Sequence, residues 1–262
     1  MKIPAASSAP VNPVVTLRSV DKVFDTGVVA LEGLTVDIRP GEFVSLLGPS
    51  GCGKSTALRL IAGLTEPTSG QIEWPERTKT AGHVVGFVFQ EPTLMPWATV
   101  RANVNLPLKL QGATSTARPR VEAALAQVGL TTFAESYPRE LSGGMKMRAS
   151  IARALVTEPR LLLMDEPFAA LDEITRFRLN NDLLALWQSL GKTVVFVTHS
   201  VFESVYLSQR VLVMTPRPGR ILRELSIDAP YPRDERFRTS ATYVEYCRQV
   251  SETLSRALAE EG

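Results

Sequence analysis

Gly48-Pro49-Ser50-Gly51-Cys52-Gly53-Lys54-Ser55 decides how the rest of the chain is read. The octapeptide fits G-x-x-x-x-G-K-[S/T] in full, and its flanks fit as well. Phe43 to Leu47 is a short apolar run that stops at Gly48. After Lys54, the residues Ala57, Leu58, Ile61 and Ala62 fall on one helical face, and Gly63 is placed to end the helix. Residues 43–63 therefore read strand, glycine loop, helix. Glycines let backbone N–H groups converge on an anion without Cβ clashes. The helix starting near Lys54 adds its positive N-terminal end. Lys54 would reach the β- and γ-phosphates of a nucleotide as a point charge, and the Ser55 hydroxyl would ligate Mg²⁺. Gly48, Pro49, Ser50, Gly51, Cys52, Gly53, Lys54, Ser55 and Thr56 form the expected phosphate-contacting set. A glycine-rich turn with a surface lysine is the competing reading, and the strand and helix around the loop argue against it.

Farther along, Leu161-Leu162-Leu163-Met164 is too short for a helix and suits a central parallel strand. It ends in Asp165-Glu166, two carboxylates at the strand end where open α/β sheets bind ligands. Asp165 would hold Mg²⁺, and Glu166 would orient and polarise an attacking water. Strands are also expected over Val14–Phe24, Leu31–Ile38, Val84–Phe89, Val194–Val197 and Val211–Met214, and helices over Thr175–Leu190 and 241–260. Strands alternating with helices mean a layered α/β sheet. Residues 98–157 are helical in pattern with no clear strand, so they read as an inserted helical subdomain. Residues 1–13, rich in Pro, Ala and Ser, read as a loose tail.

Leu141-Ser142-Gly143-Gly144-Met145 opens another helix and is a second anion-binding pattern, with backbone N–H groups and a helix N-terminus but no lysine of its own. The order of these motifs, with Gln90 between the first two, then Ala170-Leu171-Asp172 and His199 after the third, resembles the ATP-binding cassette (ABC) ATPases. The resemblance runs from about Val14 to Arg220. Phe89 to Trp97 and Pro167 to Asp172 look most like the nitrate, sulfonate, taurine and bicarbonate importer branch. It implies a P-loop ABC ATPase core over 14–220: a mixed sheet with helices, an antiparallel β part at the N-terminus and the helical insertion. Residues 221–262 would be a short C-terminal extension.

The resemblance also implies roles. Phe24 would stack on adenine. Gln90 would lie near Mg²⁺ and sense the membrane partner. Ser142, Gly143 and Gly144 would contact the γ-phosphate of ATP held by another subunit, and Asp172 would lie at the subunit interface. His199 would hydrogen-bond the γ-phosphate, leaving Glu166, His199 and Gln90 as the catalytic set. Ser55, Gln90 and Asp165 would surround Mg²⁺. His83 reads as surface or structural. The family usually places a glutamine where this chain has Met147, which puts one polar contact behind the signature in doubt. Cys52, at a helix N-terminus, is expected to have a lowered thiol pKa and to be a target for alkylation that ATP blocks.

Composition bounds these readings. The 262 residues carry 29 Lys and Arg against 27 Asp and Glu, a net charge of +2 that is too weak to argue for nucleic acid. The longest uncharged stretch, Ile3 to Leu17, contains Pro4, Pro10 and Pro13 and falls short of the about 20 apolar residues of a membrane span. Two cysteines make no disulfide framework. The expected protein is an ATP-hydrolysing importer subunit that binds ATP and Mg²⁺. It would be peripheral at the cytoplasmic face of the cell membrane. Its partners would be integral-membrane permease subunits, a second ATPase subunit (as a homodimer or a heterologous pair) and a periplasmic solute-binding protein in the same system. A non-transport relative acting on DNA or ribosomes is the alternative. Against it stand the single cassette, the absence of a heptad run and the weak charge. A small P-loop kinase would need neither the Ser-Gly-Gly helix nor His199.

Overall fold

Alternate residues of the central strands belong to opposite cores, which explains their unbroken apolar sequences. The computed structural model describes residues 12–75, 85–113 and 117–259. Its main sheet contains β3 (Phe43–Leu47), β5 (Val85–Val88), β6 (Leu161–Asp165), β7 (Thr193–Thr198), β8 (Arg210–Met214) and β9 (Ile221–Ser226). They lie in the order β5-β6-β7-β3-β8-β9, parallel except for the antiparallel β8–β9 pair. Leu161, Leu163, Val195 and Val197 pack to one side, against α1 (Lys54–Ile61) and the N-terminal sheet. Leu162, Met164, Val194 and Phe196 pack to the other, with the remaining helices.

The N-terminal sheet is antiparallel, β1 (Val15–Val23) lying between β2 (Val29–Ile38) and β4 (Ser69–Glu73). α1 is thus covered by a sheet on each side. The inserted block comprises α2 (Val100–Leu110), α3 (Ala117–Gln127) and α4 (Gly143–Leu155), with 3-10 turns at Thr131–Phe133 and Pro138–Glu140. The α/β class, the antiparallel N-terminal part and the helical insertion agree with the sequence reading. The antiparallel β4 and the short α6 (Val201–Leu207) were not expected. β4 is exposed but for Ile72, and pairing with β1 defines it rather than its own apolar content. α6 has only seven residues, capped by Ser200. Residues 1–11 of the expected tail, and His83 and Val84, lie outside the described residues.

After α5 (Glu173–Leu190) and β9, the chain forms α7 (Glu235–Arg238) and α8 (Ala241–Ala259). Residues beyond 220 are bound into the same core. β9 extends the main sheet, and buried Tyr243, Cys247 and Val250 of α8 join the core of the helical side. Arg233 locks this region in place. Its buried guanidinium donates to the carbonyls of Val205 (2.8 Å), Tyr206 (3.0 Å), Ser208 (2.8 Å), Ile227 (3.1 Å) and Ala229 (3.2 Å), and lies 4.2 Å from the Tyr231 ring centroid. Those carbonyls lie at the end of α6 and just past β9, so loss of the guanidinium would leave buried acceptors unpaired. Arg233→Ala is expected to cost about 3 kcal/mol or more in equilibrium urea unfolding. An unchanged unfolding midpoint would show that the guanidinium carries no such load.

Candidate functional site

β3, β7 and β6 are adjacent and parallel, so their C-terminal ends deliver three loops to one edge of the sheet. β3 leads into the glycine loop, β6 into Glu166, and β7 into His199. Gly51 and Gly53 take left-handed backbone conformations (φ +78° and +101°). At Gly53 a Cβ would stand 2.6 Å from the Ala30 carbonyl oxygen, so the turn requires glycine. Lys54 is 4% exposed, and its ammonium donates to the carbonyls of Gly48 and Pro49, both at 2.9 Å. The lysine is thus curled into its own loop.

The loop meets the acidic pair directly. Ser55 Oγ donates to Asp165 Oδ1 at 2.7 Å, joining two of the three expected Mg²⁺ ligands. Two hard oxygen donors side by side fit that cation. Burial pushes the Asp165 carboxyl above its ordinary range, opposed by the Ser55 hydrogen bond. Glu166 is held in a left-handed conformation (φ +43°), with its N–H donating to the Val197 carbonyl at 3.0 Å. Its two carboxylate oxygens point two ways: Oε1 lies 3.6 Å from Lys54 Nζ and Oε2 lies 3.0 Å from His199 Nδ1. Lys54, Ser55, Asp165, Glu166 and His199 therefore form one connected cluster.

Other expected residues lie outside this cluster. Gln90 is exposed, two residues past β5, and β5 pairs with β6 so that Val88 lies opposite Met164. It therefore leaves the same sheet edge one strand beyond Asp165, without a hydrogen bond to Asp165 or Glu166. Phe24 follows β1 and is 41% exposed, with Lys22 Nζ 5.5 Å from its ring centroid, so a ring face remains available for stacking. Thr56 sits in the first turn of α1.

Ser142 caps α4, its Oγ accepting from Met145 N at 3.3 Å. Gly143 and Gly144 follow, and at Gly144 a Cβ would press against Thr175 (2.9 Å). No hydrogen bond or ion pair among the described residues joins Ser142, Gly143 or Gly144 to the glycine loop. Asp172 caps α5 by accepting from Thr175 N at 2.9 Å, which holds its carboxyl below the usual range. Met147 is 2% exposed in the core, so an apolar side chain there is matched to its surroundings.

The Cys52 expectation is corrected. The thiol is 1% exposed, and burial pushes its pKa up, the nearby Lys54 only partly opposing this. Desolvation of a thiolate outweighs the field of the helix end.

Two arginines near these loops went unnoticed in the sequence. Arg217 donates to the Gly51 carbonyl from Nε (3.2 Å) and Nη2 (3.0 Å), bracing the glycine loop from outside. Arg153 of α4 donates to the carbonyls of Pro92 (2.8 Å) and Thr93 (2.7 Å), tying the signature helix to the segment after Gln90. Lone arginines carry no local spacing signal. The Arg-Pro-Gly turn after β8 was the available hint for the first.

A glycine loop, acidic pair and histidine gathered at one sheet edge, beside an inserted helical block bearing a second glycine motif, define the ATP-binding cassette class of ATPases. A family model described as ABC transporter matches residues 31–169. The chain belongs to the ABC transporter family, as one of its ATP-binding, ATP-hydrolysing components. It is 46% identical over 244 residues to a protein of Synechocystis sp. named nitrate import ATP-binding protein NrtD, covering 89% of this chain and 91% of that one. It is 40% identical over 246 residues to a Bacillus cereus protein named aliphatic sulfonates import ATP-binding protein SsuB, covering 92% and 96%. A solved dimeric ATP-binding cassette in a post-hydrolysis state, bound to ADP and Pi, is similar in structure. It has a TM-score of 0.70 and 36% identity, over 82% of this chain and all of that one.

Because the thiolate is the reactive form, a raised pKa combined with burial slows alkylation. Native protein at pH 8 is expected to react with iodoacetamide at least about tenfold more slowly than a free thiol at Cys52. Cys247 should behave likewise, since burial pushes it to about 11. Mass spectrometry before and after denaturation checks this, and rapid labelling of the native chain would contradict it.

Proposed function

We propose that this chain is the motor subunit of an importer for a small anion, such as nitrate or an aliphatic sulfonate, and that two ATPase subunits share two composite ATP sites. The observation that carries the reading is the Lys54–Glu166–His199 cluster, with Ser142, Gly143 and Gly144 left unjoined to it in the same chain. The names of the Synechocystis and Bacillus relatives supply the anion class.

In this reading the phosphates enter the glycine loop and Lys54 exchanges its two carbonyl contacts for them. Glu166, held by His199 and by its strained backbone, accepts the hydrogen bond of the attacking water and orients it. His199 would contact the γ-phosphate while bonded to Glu166. Ser55, Asp165 and Gln90 would hold Mg²⁺, which supplies charge neutralisation on the β- and γ-phosphates when bound. Phe24 stacks on the base. Ser142 and the N–H groups of Gly143 and Gly144 approach from the second subunit. Loss of the γ-phosphate removes the group that both subunits hold, and the clamp opens.

No helix among the described residues is long and apolar enough to cross a membrane. The subunit would act at the cytoplasmic face of the membrane, docked on permease subunits served by a periplasmic binding protein. A groove of about 420 Å³ supports that docking. It is lined in part by Phe87, Phe89, Leu106, Leu110 and Arg153, with Leu110 79% exposed, and it suits an amphipathic helix of the permease.

Glu166→Gln is expected to bind ATP normally, hydrolyse it at least about 100-fold more slowly and accumulate as an ATP-dependent dimer. Phosphate release and sedimentation velocity measure both, and wild-type turnover would refute the assigned role. Lys54→Ala should lose ATP binding in calorimetry, and unaltered affinity would contradict the phosphate contact.

A further inference from the structure

Buried Glu203 and half-buried Arg176, both beyond the nucleotide cluster, connect the loop bearing His199 to the turn bearing Asp172. On the His199 side, Thr198 Oγ1 donates to Glu203 Oε2 at 2.6 Å and accepts from Ser200 N at 3.0 Å. The Glu203 N–H donates in turn to Ser200 Oγ at 3.3 Å. The residues flanking His199 are thus closed into a small ring through the Glu203 carboxylate, which is 8% exposed at residue level. His199 itself is half exposed, and Glu166 is its one side-chain hydrogen-bond partner among the described residues. Its position therefore depends on how firmly its neighbours are held.

On the other side, Arg176 lies in the first turns of α5. Its Nη2 donates to the Leu171 carbonyl at 3.0 Å and to the Ala169 carbonyl at 3.5 Å, within the turn that ends at Asp172. Its Nε stands 3.9 Å from Glu203 Oε1, beyond hydrogen-bond reach but within strong Coulomb range at a buried carboxylate. Burial raises the Glu203 carboxyl, while the Thr198 bond and the Arg176 charge pull it down.

We propose that Glu203 and Arg176 are positioning residues: through Thr198, their ion pair couples the Ala169–Asp172 turn to His199. When a second subunit meets Asp172, displacement of the turn carries Arg176 with it, and the pull on Glu203 reaches the backbone on both sides of His199. Neither side chain has a hydrogen bond or ion pair with Lys54, Ser55, Asp165 or Glu166. The inference rests on the proposed contact of His199 with the γ-phosphate.

Steady-state ATPase and ATP-binding measurements on the full chain test it. Glu203→Gln keeps the shape and the acceptor for Thr198 but removes the charge facing Arg176, and Arg176→Ala removes the other partner. Each is expected to lower kcat about tenfold, with KM and Kd for ATP within about twofold of wild type. Arg176→Lys, which keeps the charge, should recover part of the rate. In a His199→Ala background, Glu203→Gln should cause no further loss, because both act through one group. Two results would overturn the proposal: kcat within twofold of wild type for both Glu203→Gln and Arg176→Ala, or losses that multiply in the double variant. Should Glu203→Gln fail to fold, Arg176→Ala carries the same comparison. A wild-type rate in His199→Ala alone would overturn the His199 assignment, and the coupling with it.

Discussion

The parallel hydrogen bonding of β3 to β7 and of β7 to β6 is the constraint on which the site depends. Phe43 pairs with Val194 and Leu161 with Thr193, so all three strands end at one level. The glycine loop, Glu166 and His199 are then brought within hydrogen-bond or ion-pair distance although they are far apart in sequence. Slippage of one strand would carry its terminal side chain to the other face as well as along the edge. The doubly buried cores prevent this. Leu161, Leu163, Val195 and Val197 are held by α1 and the N-terminal sheet, and Leu162, Met164, Val194 and Phe196 by the helical side.

Within that frame, each polar group of the cluster has an internal substitute for an external partner. Lys54 donates to its own loop carbonyls, Ser55 to Asp165, and Glu166 faces both Lys54 and His199. Buried polar groups need such partners, and in our reading the nucleotide phosphates take the place of those around Lys54. The second glycine motif is arranged differently. Ser142 is satisfied by capping α4, while Gly143 and Gly144 are fixed by close packing against Leu171 and Thr175. The motif is finished as a helix end and owes nothing to the glycine loop of its own chain, which is why a second subunit completes the site in our reading.

Much of this was legible in the sequence because the signals are local. Gly48 to Ser55 has a fixed spacing, Leu161 to Met164 an unbroken apolar run, and Asp165-Glu166 follows it directly. β4, in contrast, is set by its pairing with β1, and α6 is too short to show a helical period. The charge partners of the site were hidden for the same reason. Arg217 reaches Gly51 across 166 positions, and Arg153 reaches Thr93 across 60. Cys52 shows the limit of local logic in another way. Its place at a helix start argued for a reactive thiol, but burial against Gly48 and the core decides the matter in the opposite direction.

The claim at the centre is that the glycine loop of one subunit meets Ser142 of another. Ser50 and Ser142 are both exposed, whereas the two native cysteines are buried. The decisive measurement is oxidative cross-linking of Ser50→Cys with Ser142→Cys in the Glu166→Gln chain, read on non-reducing gels with and without ATP. An ATP-dependent covalent dimer is predicted. A cross-link formed within one chain, or a yield indifferent to ATP, would contradict it.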